Sequence, residues 1–355
     1  MRKRLRDLGI FIGRLPPGKY NAITDVPGVF VGHRTLIFDE PRVARTGVTV
    51  ILPREGGIWK DHAFAATHSL NGSGEMTGVH WIAESGMLTS PIAITNTAQV
   101  GTVHEALNRY GYDLGWTEVW DLPVVAETWD GWLNDMAAFH VTKDHVYQAI
   151  ESARSGPVAE GNVGGGTGMI CHDFKGGIGT ASRMVSCPSG IFCVGALVQA
   201  NYGARQDLRV DGVPVGRDIS FESVPSSRAE SRGGSSIIVI IATDAPLVHS
   251  QCKRLAQRAT IGLARVGGVA ENGSGDIFLA FATGNQLASE SQAPYALHML
   301  PNDQLNAFFL GVVEAVEEAI LNALTGAETM TGYRGRTAYE LPLDEFQRIM
   351  ERDHS

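Results

Sequence analysis

One serine of this chain, Ser236, stands where it could become a nucleophile without help from a histidine. It follows Gly233-Gly234-Ser235 and directly precedes the apolar run Ile237–Ala242. If the backbone were cut before Ser236, its new α-amine would have a pKa of about 7.7–8.0 and could accept the hydroxyl proton at neutral pH. The cut would be attack of the hydroxyl on the preceding carbonyl, an N-to-O acyl shift and hydrolysis of the ester. The same Gly-Ser pattern is also typical of an ordinary loop-to-strand junction.

Other kinds of catalytic site find little support in the sequence. A serine triad of the G-x-S-x-G type is absent. The eleven histidines form no HExxH or H-x-H pattern, so we expect structural or surface roles for them and no metal site. We also expect no cofactor.

Three glycine-rich segments do not read as nucleotide-binding loops. Gly161–Gly168 precedes a strand-like MIC sequence and has no P-loop lysine, so it lacks the strand-then-helix setting of a dinucleotide fingerprint. A tight turn or close backbone approach explains its glycines better. The two NGSG sequences, Asn71–Gly74 and Asn272–Gly275, are local turn sequences by default.

The elements that would position these residues alternate between strands and helices. Six apolar runs predict strands, at Val29–Val31, Gly47–Leu52, Ser90–Thr95, Gly190–Gln199, Ile237–Ala242 and Ile277–Thr283. Helical periodicity predicts helices over Thr102–Tyr110, Val141–Ala153, Leu247–Val266 and Asp303–Leu324, the last capped by Asn302 and stopped by Gly326. Strands that are apolar on both faces and helices with one apolar stripe fit sheets enclosed by helical layers. Residues 203–235 read as an exposed, mobile loop.

Composition excludes several classes of protein. The 355 residues are 44% hydrophobic and 19% charged, which predicts a folded globular chain. The net charge of −9 argues against nucleic acid as a partner, and no stretch is long and apolar enough to span a membrane. Four cysteines without C-x-x-C spacing predict reduced thiols in a cytoplasmic protein.

The chain resembles the L-aminopeptidase/D-esterase (DmpA-like) family, which includes β-peptidyl aminopeptidases. The resemblance rests on ten ordered segments: Asn21–His33, Thr46–Arg54, Asn71–Gly78, Ser90–Thr97, Pro123–Asp135, Gly161–Met169, Lys175–Arg183, Val198–Gly203, Ser236–Leu247 and Asn272–Ile277. It implies an N-terminal-nucleophile hydrolase with a four-layer αββα fold, also found in ornithine acetyltransferases. It further implies a single domain, self-cleaved into an α chain of 1–235 and a β chain of 236–355, and a homotetramer of α/β heterodimers.

The same resemblance assigns roles to individual residues. Ser236 is the nucleophile, Asn201 supplies an oxyanion-hole amide, and Ser274 and Asp276 orient and tune the nucleophile. Glu127 faces the substrate's ammonium, and Trp129 walls the pocket. Asp276 stands where some members carry Glu, Trp129 where others have Tyr, and Ser235 where Gly or Asn is more usual. Cleavage between Gly234 and Ser235 is therefore an alternative.

Two activities are consistent with this resemblance. The first is an aminopeptidase that hydrolyses short peptides, amides or esters with a free N-terminal amine through an ester on Ser236. The second is acyl transfer of the ornithine acetyltransferase kind, against which the serine counts because those enzymes use threonine. A binding protein that has lost its activity is a third interpretation, disfavoured by the joint presence of the four catalytic candidates.

Overall fold

The computed structural model describes residues 2–116, 121–227 and 235–353. Its strands, numbered in chain order, are β1 Phe30–Phe38, β2 Ala44–Leu52, β3 Asp61–Gly72, β4 Met87–Leu88, β5 Ile92–Asn96, β6 Val124–Thr128, β7 Ile170–Cys171, β8 Phe174–Lys175, β9 Gly177–Cys187, β10 Gly190–Asn201, β11 Ser236–Thr243, β12 Gly275–Ala288, β13 Met330–Thr331 and β14 Thr337–Ala338. The helices are α1 Val79–Ser85, α2 Val100–Asp113, α3 Lys143–Ser152, α4 Val215–Asp218, α5 His249–Arg265, α6 Leu305–Thr325 and α7 Leu343–Asp353.

Two sheets lie face to face between two helical layers. One sheet has the order β1-β2-β5-β6 and the other the order β4-β3-β12-β11-β10-β9. An apolar core that includes Ile51, Ile94 and Ile240 separates the two sheets. Two further cores pack α2 and α3 on the first sheet, and α5 and α6 on the second. The predicted αββα arrangement is therefore observed.

Strand β11 shows why this arrangement suits the sequence. It pairs antiparallel with β10 and parallel with β12, and all eight of its residues are buried. Ile237, Val239 and Ile241 face the helical side, whereas Ile238 and Ile240 face the core between the sheets. A run of β-branched residues with both faces buried is typical of a central strand.

Helix α6 crosses the interior of the molecule. It packs on β9 and β10 and against α5, where Gly262 lets the two helices approach closely. The prediction of Asn302 as its N-cap was wrong, because the helix begins at Leu305 after a 3-10 turn. The Asn302 side chain instead accepts a hydrogen bond from Gln251. Gly326 ends the helix as predicted.

Each predicted strand and helix overlaps an observed element, but the sequence patterns missed the long strands β3 and β9, the strand β6, the helices α1, α4 and α7, and the two-residue strands β4, β8, β13 and β14. The prediction of an exposed loop over residues 203–235 was wrong for much of its described part. Arg205, Leu208, Val210 and Ile219 are buried there. Residues 228–234 of that segment lie outside the described residues.

All four cysteines carry free thiols, three of them buried and Cys187 half-buried. In the part of the chain that the structure describes, no helix is long and apolar enough to cross a membrane. The cytoplasmic location stays a prediction.

Candidate active site

Ser236 is the first residue of the central strand β11, between the ends of two neighbouring strands. In the sheet register it lies opposite Asn201, the last residue of β10, and opposite Gly275, the first residue of β12. The side chain is buried, with 5% of its surface exposed. Sheet pairing therefore brings together three residues that are up to 74 positions apart (201 to 275) in the sequence.

The hydroxyl of Ser236 lies against the peptide bond that precedes it. Its Oγ donates to the carbonyl oxygen of Ser235 at 2.5 Å. The backbone N–H of Gly275 points at both atoms, 3.1 Å from Ser236 Oγ and 3.2 Å from Ser235 O. An N–H on the carbonyl oxygen polarises the bond that the hydroxyl would attack. The alternative bond, Gly234–Ser235, begins at a residue outside the described part of the chain.

Ser274 and Asp276 form a pair beside this serine, on either side of Gly275. Ser274 Oγ donates to Asp276 Oδ1 at 2.7 Å, and the carboxylate also accepts from the N–H of Ile237. Burial raises the pKa of Asp276 above its ordinary value. Within the described residues, the hydrogen bonds of the Asp276 carboxylate are to Ser274 Oγ and to the N–H of Ile237, and none is to the Ser236 hydroxyl.

Asn201 is held rigidly by two backbone groups. Its Oδ1 accepts from the N–H of Ile170 at 2.8 Å, and its Nδ2 donates to the carbonyl of Trp129 at 3.0 Å. The first contact fixes which end of the amide is the donor. Trp129 contributes its carbonyl to this contact, and its indole lies over Gly131, where a Cβ would come within 2.6 Å of the ring.

Glu127 is a buried carboxylate at the end of β6. Its Oε1 accepts from the N–H of Glu75 at 3.0 Å, and its Oε2 accepts from the hydroxyl of Thr97. Burial raises its pKa, while these two hydrogen bonds oppose the rise. A carboxylate in such a place is suited to a cationic group that loses its own water on binding.

The two NGSG sequences meet at this site, which the sequence analysis did not anticipate. The N–H of Ser73 donates to the carbonyl of Ser274 at 3.1 Å. A Cβ on Gly74 would lie 3.1 Å from Gly275 Cα and 3.2 Å from Glu127 Oε1. Gly74 thus lies next to both the Glu127 carboxylate and the Gly275 backbone, which in turn contacts Ser236. The repetition of NGSG was the only signal in the sequence that linked the two segments.

The glycines of Gly161–Gly168 serve close backbone approach, as predicted. Gly164, Gly165 and Gly166 form a buried 3-10 turn between the two sheets. A Cβ on Gly165 would collide with Gln199 and with the carbonyl of Ile94. This turn leads directly into the segment that holds Asn201.

Two buried ionisable residues near the site were missed as candidates. Burial raises the pKa of Asp130 to about 7, and it lowers that of Lys175 to about 7. Lys175 Nζ donates to the carbonyls of Met169 and Gly176, each at 2.8 Å. Both residues lie inside segments that carry the family resemblance, but neither type nor spacing set them apart. They support the loops on which Asn201 depends.

The described residues contain no group of three or more His, Cys, Asp and Glu side chains placed to hold a metal ion. The site offers a hydroxyl beside the Ser235 carbonyl group, N–H donors for a developing oxyanion, and the buried Glu127 carboxylate next to Gly74. This set of groups is suited to acyl transfer onto serine.

Comparison with known proteins gives consistent matches along the chain. The profile of peptidase family S58 matches residues 21–338. The beta-peptidyl aminopeptidase BapA of Sphingosinicella microcystinivorans is 46% identical over 367 residues, which cover 98% of this chain and 92% of that protein. The protein of the same name from Sphingosinicella xenopeptidilytica is 43% identical, and the match covers 98% of this chain and 91% of that protein.

Solved structures agree over nearly the whole length. A Burkholderia sp. beta-aminopeptidase matches with a TM-score of 0.93 at 51% identity, covering 99% of both chains. The L-aminopeptidase D-Ala-esterase/amidase of Ochrobactrum anthropi matches with a TM-score of 0.90 at 42% identity, again over 99% of both. That enzyme is described as a prototype for the serine aminopeptidases and a variant of the Ntn hydrolase fold.

Proposed function

This chain belongs to peptidase family S58, and from that premise we propose that it cuts itself before Ser236 and then uses this serine as an N-terminal nucleophile. The protein is a hydrolase, a serine aminopeptidase of the Ntn type. Its substrates are short peptides, amides or esters that carry a free N-terminal amine. The names of the Sphingosinicella and Burkholderia relatives support β-amino acid residues at that end.

The observation that carries this proposal is the position of the Gly275 N–H. It lies within hydrogen-bond distance of both the Ser236 hydroxyl and the Ser235 carbonyl oxygen. One donor can therefore stabilise the negative charge that develops when the hydroxyl oxygen bonds to the carbonyl carbon. This arrangement supports Ser235–Ser236 as the scissile bond.

Self-cleavage then proceeds in two steps. Ser236 Oγ attacks the Ser235 carbonyl carbon, the C–N bond breaks, and the hydroxyl proton ends on the released amine of Ser236. Water hydrolyses the resulting ester, which gives a carboxylate at Ser235 and restores the serine hydroxyl. The products are chains 1–235 and 236–355. We propose that these pair as heterodimers and assemble into a homotetramer, as the family resemblance implies; sedimentation analysis tests this.

In the cut protein the α-amine of Ser236 takes the hydroxyl proton while Oγ attacks the substrate carbonyl. The leaving amine receives that proton, and water later hydrolyses the acyl ester. Asn201 Nδ2 and the Gly275 N–H stabilise the oxyanion, and Ser274 with Asp276 orients the nucleophile. Glu127 binds the substrate's ammonium because a desolvated cation needs an anionic partner.

Paired serine variants test the proposal. Ser236→Ala should remain one chain and hydrolyse no aminoacyl nitroanilide, whereas Ser235→Ala should still be cut and active, since only the side chain before the bond is changed. The N-acetylated substrate should react at least about 10²-fold more slowly, because its amine carries no charge. An active, uncut Ser236→Ala protein would contradict the proposal. Faster transfer to added amines than to water would favour the acyltransferase instead.

A further inference from the structure

A buried lysine, Lys175, bonds to the backbone that holds the Asn201 amide. It is wholly buried, and in the hairpin of β7 and β8 it lies opposite Ile170. Its Nζ donates to the carbonyl oxygens of Met169 and Gly176, each at 2.8 Å. A buried amino group is stable only where it is hydrogen-bonded, and carbonyl oxygens are its partners here. Lys175 therefore acts on the peptide groups around it.

One of these carbonyls belongs to the peptide group that fixes Asn201. The oxygen of the Met169–Ile170 peptide accepts from Lys175 Nζ at 2.8 Å and from the N–H of Gly176 at 2.9 Å. The N–H of the same peptide donates to Asn201 Oδ1 at 2.8 Å. Donors on a peptide oxygen draw electron density from its nitrogen, which makes the N–H a stronger donor. Lys175 thus draws electron density from the Asn201 amide through one peptide group.

The series continues on the other side of Asn201 and ends at a buried carboxylate. Asn201 Nδ2 donates to the carbonyl of Trp129 at 3.0 Å. The N–H of that peptide group belongs to Asp130 and lies against the carboxylate of Asp130 itself. This carboxylate is wholly buried and also accepts from Asn134 Nδ2 at 3.2 Å. We call the amide relay the series formed by Lys175, the Met169–Ile170 peptide, the Asn201 amide, the Trp129–Asp130 peptide and the Asp130 carboxylate.

All three amides of the amide relay point the same way. Each carbonyl oxygen faces the lysine end and each N–H faces the aspartate end, and the direction is fixed because an oxygen accepts while an N–H donates. Burial brings the pKa of Lys175 and that of Asp130 to about 7, so both ends carry charge in a large share of the molecules at neutral pH. These buried charges act on the amides with little screening. Because Asn201 Nδ2 carries two hydrogens, the polarisation strengthens its donation to an oxyanion as well as to Trp129.

We propose that Lys175 and Asp130 are positioning residues for acyl transfer, which orient and polarise the Asn201 amide from the two ends of the amide relay. This inference rests on the proposed function, in which Asn201 stabilises the oxyanion. The oxyanion exists in the transition state and not in the bound substrate. The loss of either end should therefore lower kcat and leave KM nearly unchanged.

The test measures kcat and KM of the cut enzyme on an aminoacyl nitroanilide for two variants, each made alone and together with Asn201→Ala. Lys175→Met keeps the apolar stem and loses the donor, and it should lower kcat at least about tenfold because the amide is no longer held in place. Asp130→Asn keeps the shape and loses the charge, and it should lower kcat at least about threefold. KM should stay within about twofold in both variants. In the Asn201→Ala background each change should lower kcat less than about twofold, because the amide relay has lost its central amide.

Arg54→Met is the matched control. Arg54 is a largely buried cation that donates to the backbone carbonyls of His62 and Thr283, each at 3.0 Å. Thr283 lies eight residues beyond Gly275 (275 to 283) on β12, so this cluster is roughly 26 Å along the strand from the nucleophile. The control variant should melt at a lower temperature than the wild-type protein and keep kcat within about twofold of its value.

Wild-type kcat in either folded variant would overturn the inference. The same fold-loss of kcat with and without Asn201→Ala would also overturn it, because the residue would then act apart from the amide, as would an equal loss in Arg54→Met. If Lys175→Met does not fold, Asp130→Asn decides by the same criteria. An Asn201→Ala protein with wild-type kcat would instead refute the oxyanion role in the proposed function, and this inference with it.

Discussion

At the scale of single residues, Ser236 differs from a triad serine because its base is part of its own backbone. About a fifth to a third of a free α-amine is neutral at physiological pH, so no histidine is required. The surrounding residues then need only hold the hydroxyl and supply donors for the oxyanion. Asn201 suits that role because its amide is fixed by Ile170 and Trp129 before any substrate arrives.

Replacing Asn201 by alanine should lower kcat by about 10²–10³, because one preorganised oxyanion donor is lost. Asn285→Ala is a suitable control, since Asn285 is a buried amide bonded to the backbone of His298, away from the site. Steady-state kinetics on a nitroanilide, with melting temperatures for both variants, measure the effect. Equal loss of activity in the two would contradict the role of Asn201.

Glu127→Gln should raise the melting temperature at pH 8 while it weakens the binding of amine-bearing substrates. Burial raises the pKa of Glu127, so the folded protein binds this proton more tightly than the unfolded chain. The free energy of unfolding therefore falls as the pH rises from the ordinary pKa to the raised pKa. Glutamine does not titrate, so the variant does not show this fall. The difference in melting temperature should vanish well below pH 4, where the glutamate is protonated in both the folded and the unfolded chain.

The kinetic part of this prediction is a fall in kcat/KM of about 10²-fold for substrates with a free amine. The acetylated substrate, already slow, should be unaffected. A glutamine variant that melts below the wild-type protein at pH 8, or that keeps its affinity for the amine, would contradict the role given to Glu127.

At the scale of elements, the site depends on two turns that approach each other without side chains between them. A Cβ on Gly275 would lie 2.7 Å from both Gly74 Cα and Ser73 O. Gly275→Ala should therefore displace the N–H that faces Ser236, and both cleavage and turnover should fall by at least about tenfold. Gly273→Ala in the same turn meets nothing within 4 Å and is the control. Gel densitometry of the cut chains would measure self-cleavage, and steady-state kinetics would measure turnover.

How far the sequence predicts these elements depends on whether the signal is local. The apolar run of β11 is continuous in the chain, so the strand and the serine before it could be predicted. The pairing of Asn71–Gly74 with Asn272–Gly275 could not, because each is an ordinary turn sequence and only the sheet register brings them together. Strand β9 was missed because small and polar residues such as Gly179 and Thr180 break its pattern.

At the scale of the whole molecule, a buried ion cluster ties the layers together. Arg183 on β9 pairs with Glu314 and Glu318 on α6, and all three side chains are almost wholly buried. Arg183→Met should cost about 3–5 kcal/mol of unfolding free energy, because the buried Glu314 loses the arginine that it pairs with and Glu318 keeps only Arg6. Arg109→Ala, which breaks an exposed pair with Glu105, should leave the free energy of unfolding nearly unchanged, because water and salt screen such a pair. Urea unfolding curves compare the two, and similar costs would contradict this account.

The two proposed chains would remain interlocked after the cut. Strands β11 and β12, from 236–355, lie between β10 and β3, from 1–235, in one continuous sheet. Helix α6 also covers β9 and β10. A single broken peptide bond at the start of β11 leaves these contacts intact, so the chains should separate only under denaturing conditions.

The most direct test of the central claim is intact mass spectrometry of the active enzyme, with N-terminal sequencing of the smaller chain. Denaturing conditions should release two chains whose masses sum to the full chain plus one water, and the smaller should begin at Ser236. Full activity in a preparation in which Ser236 is still joined to Ser235 by its amide bond would contradict the account.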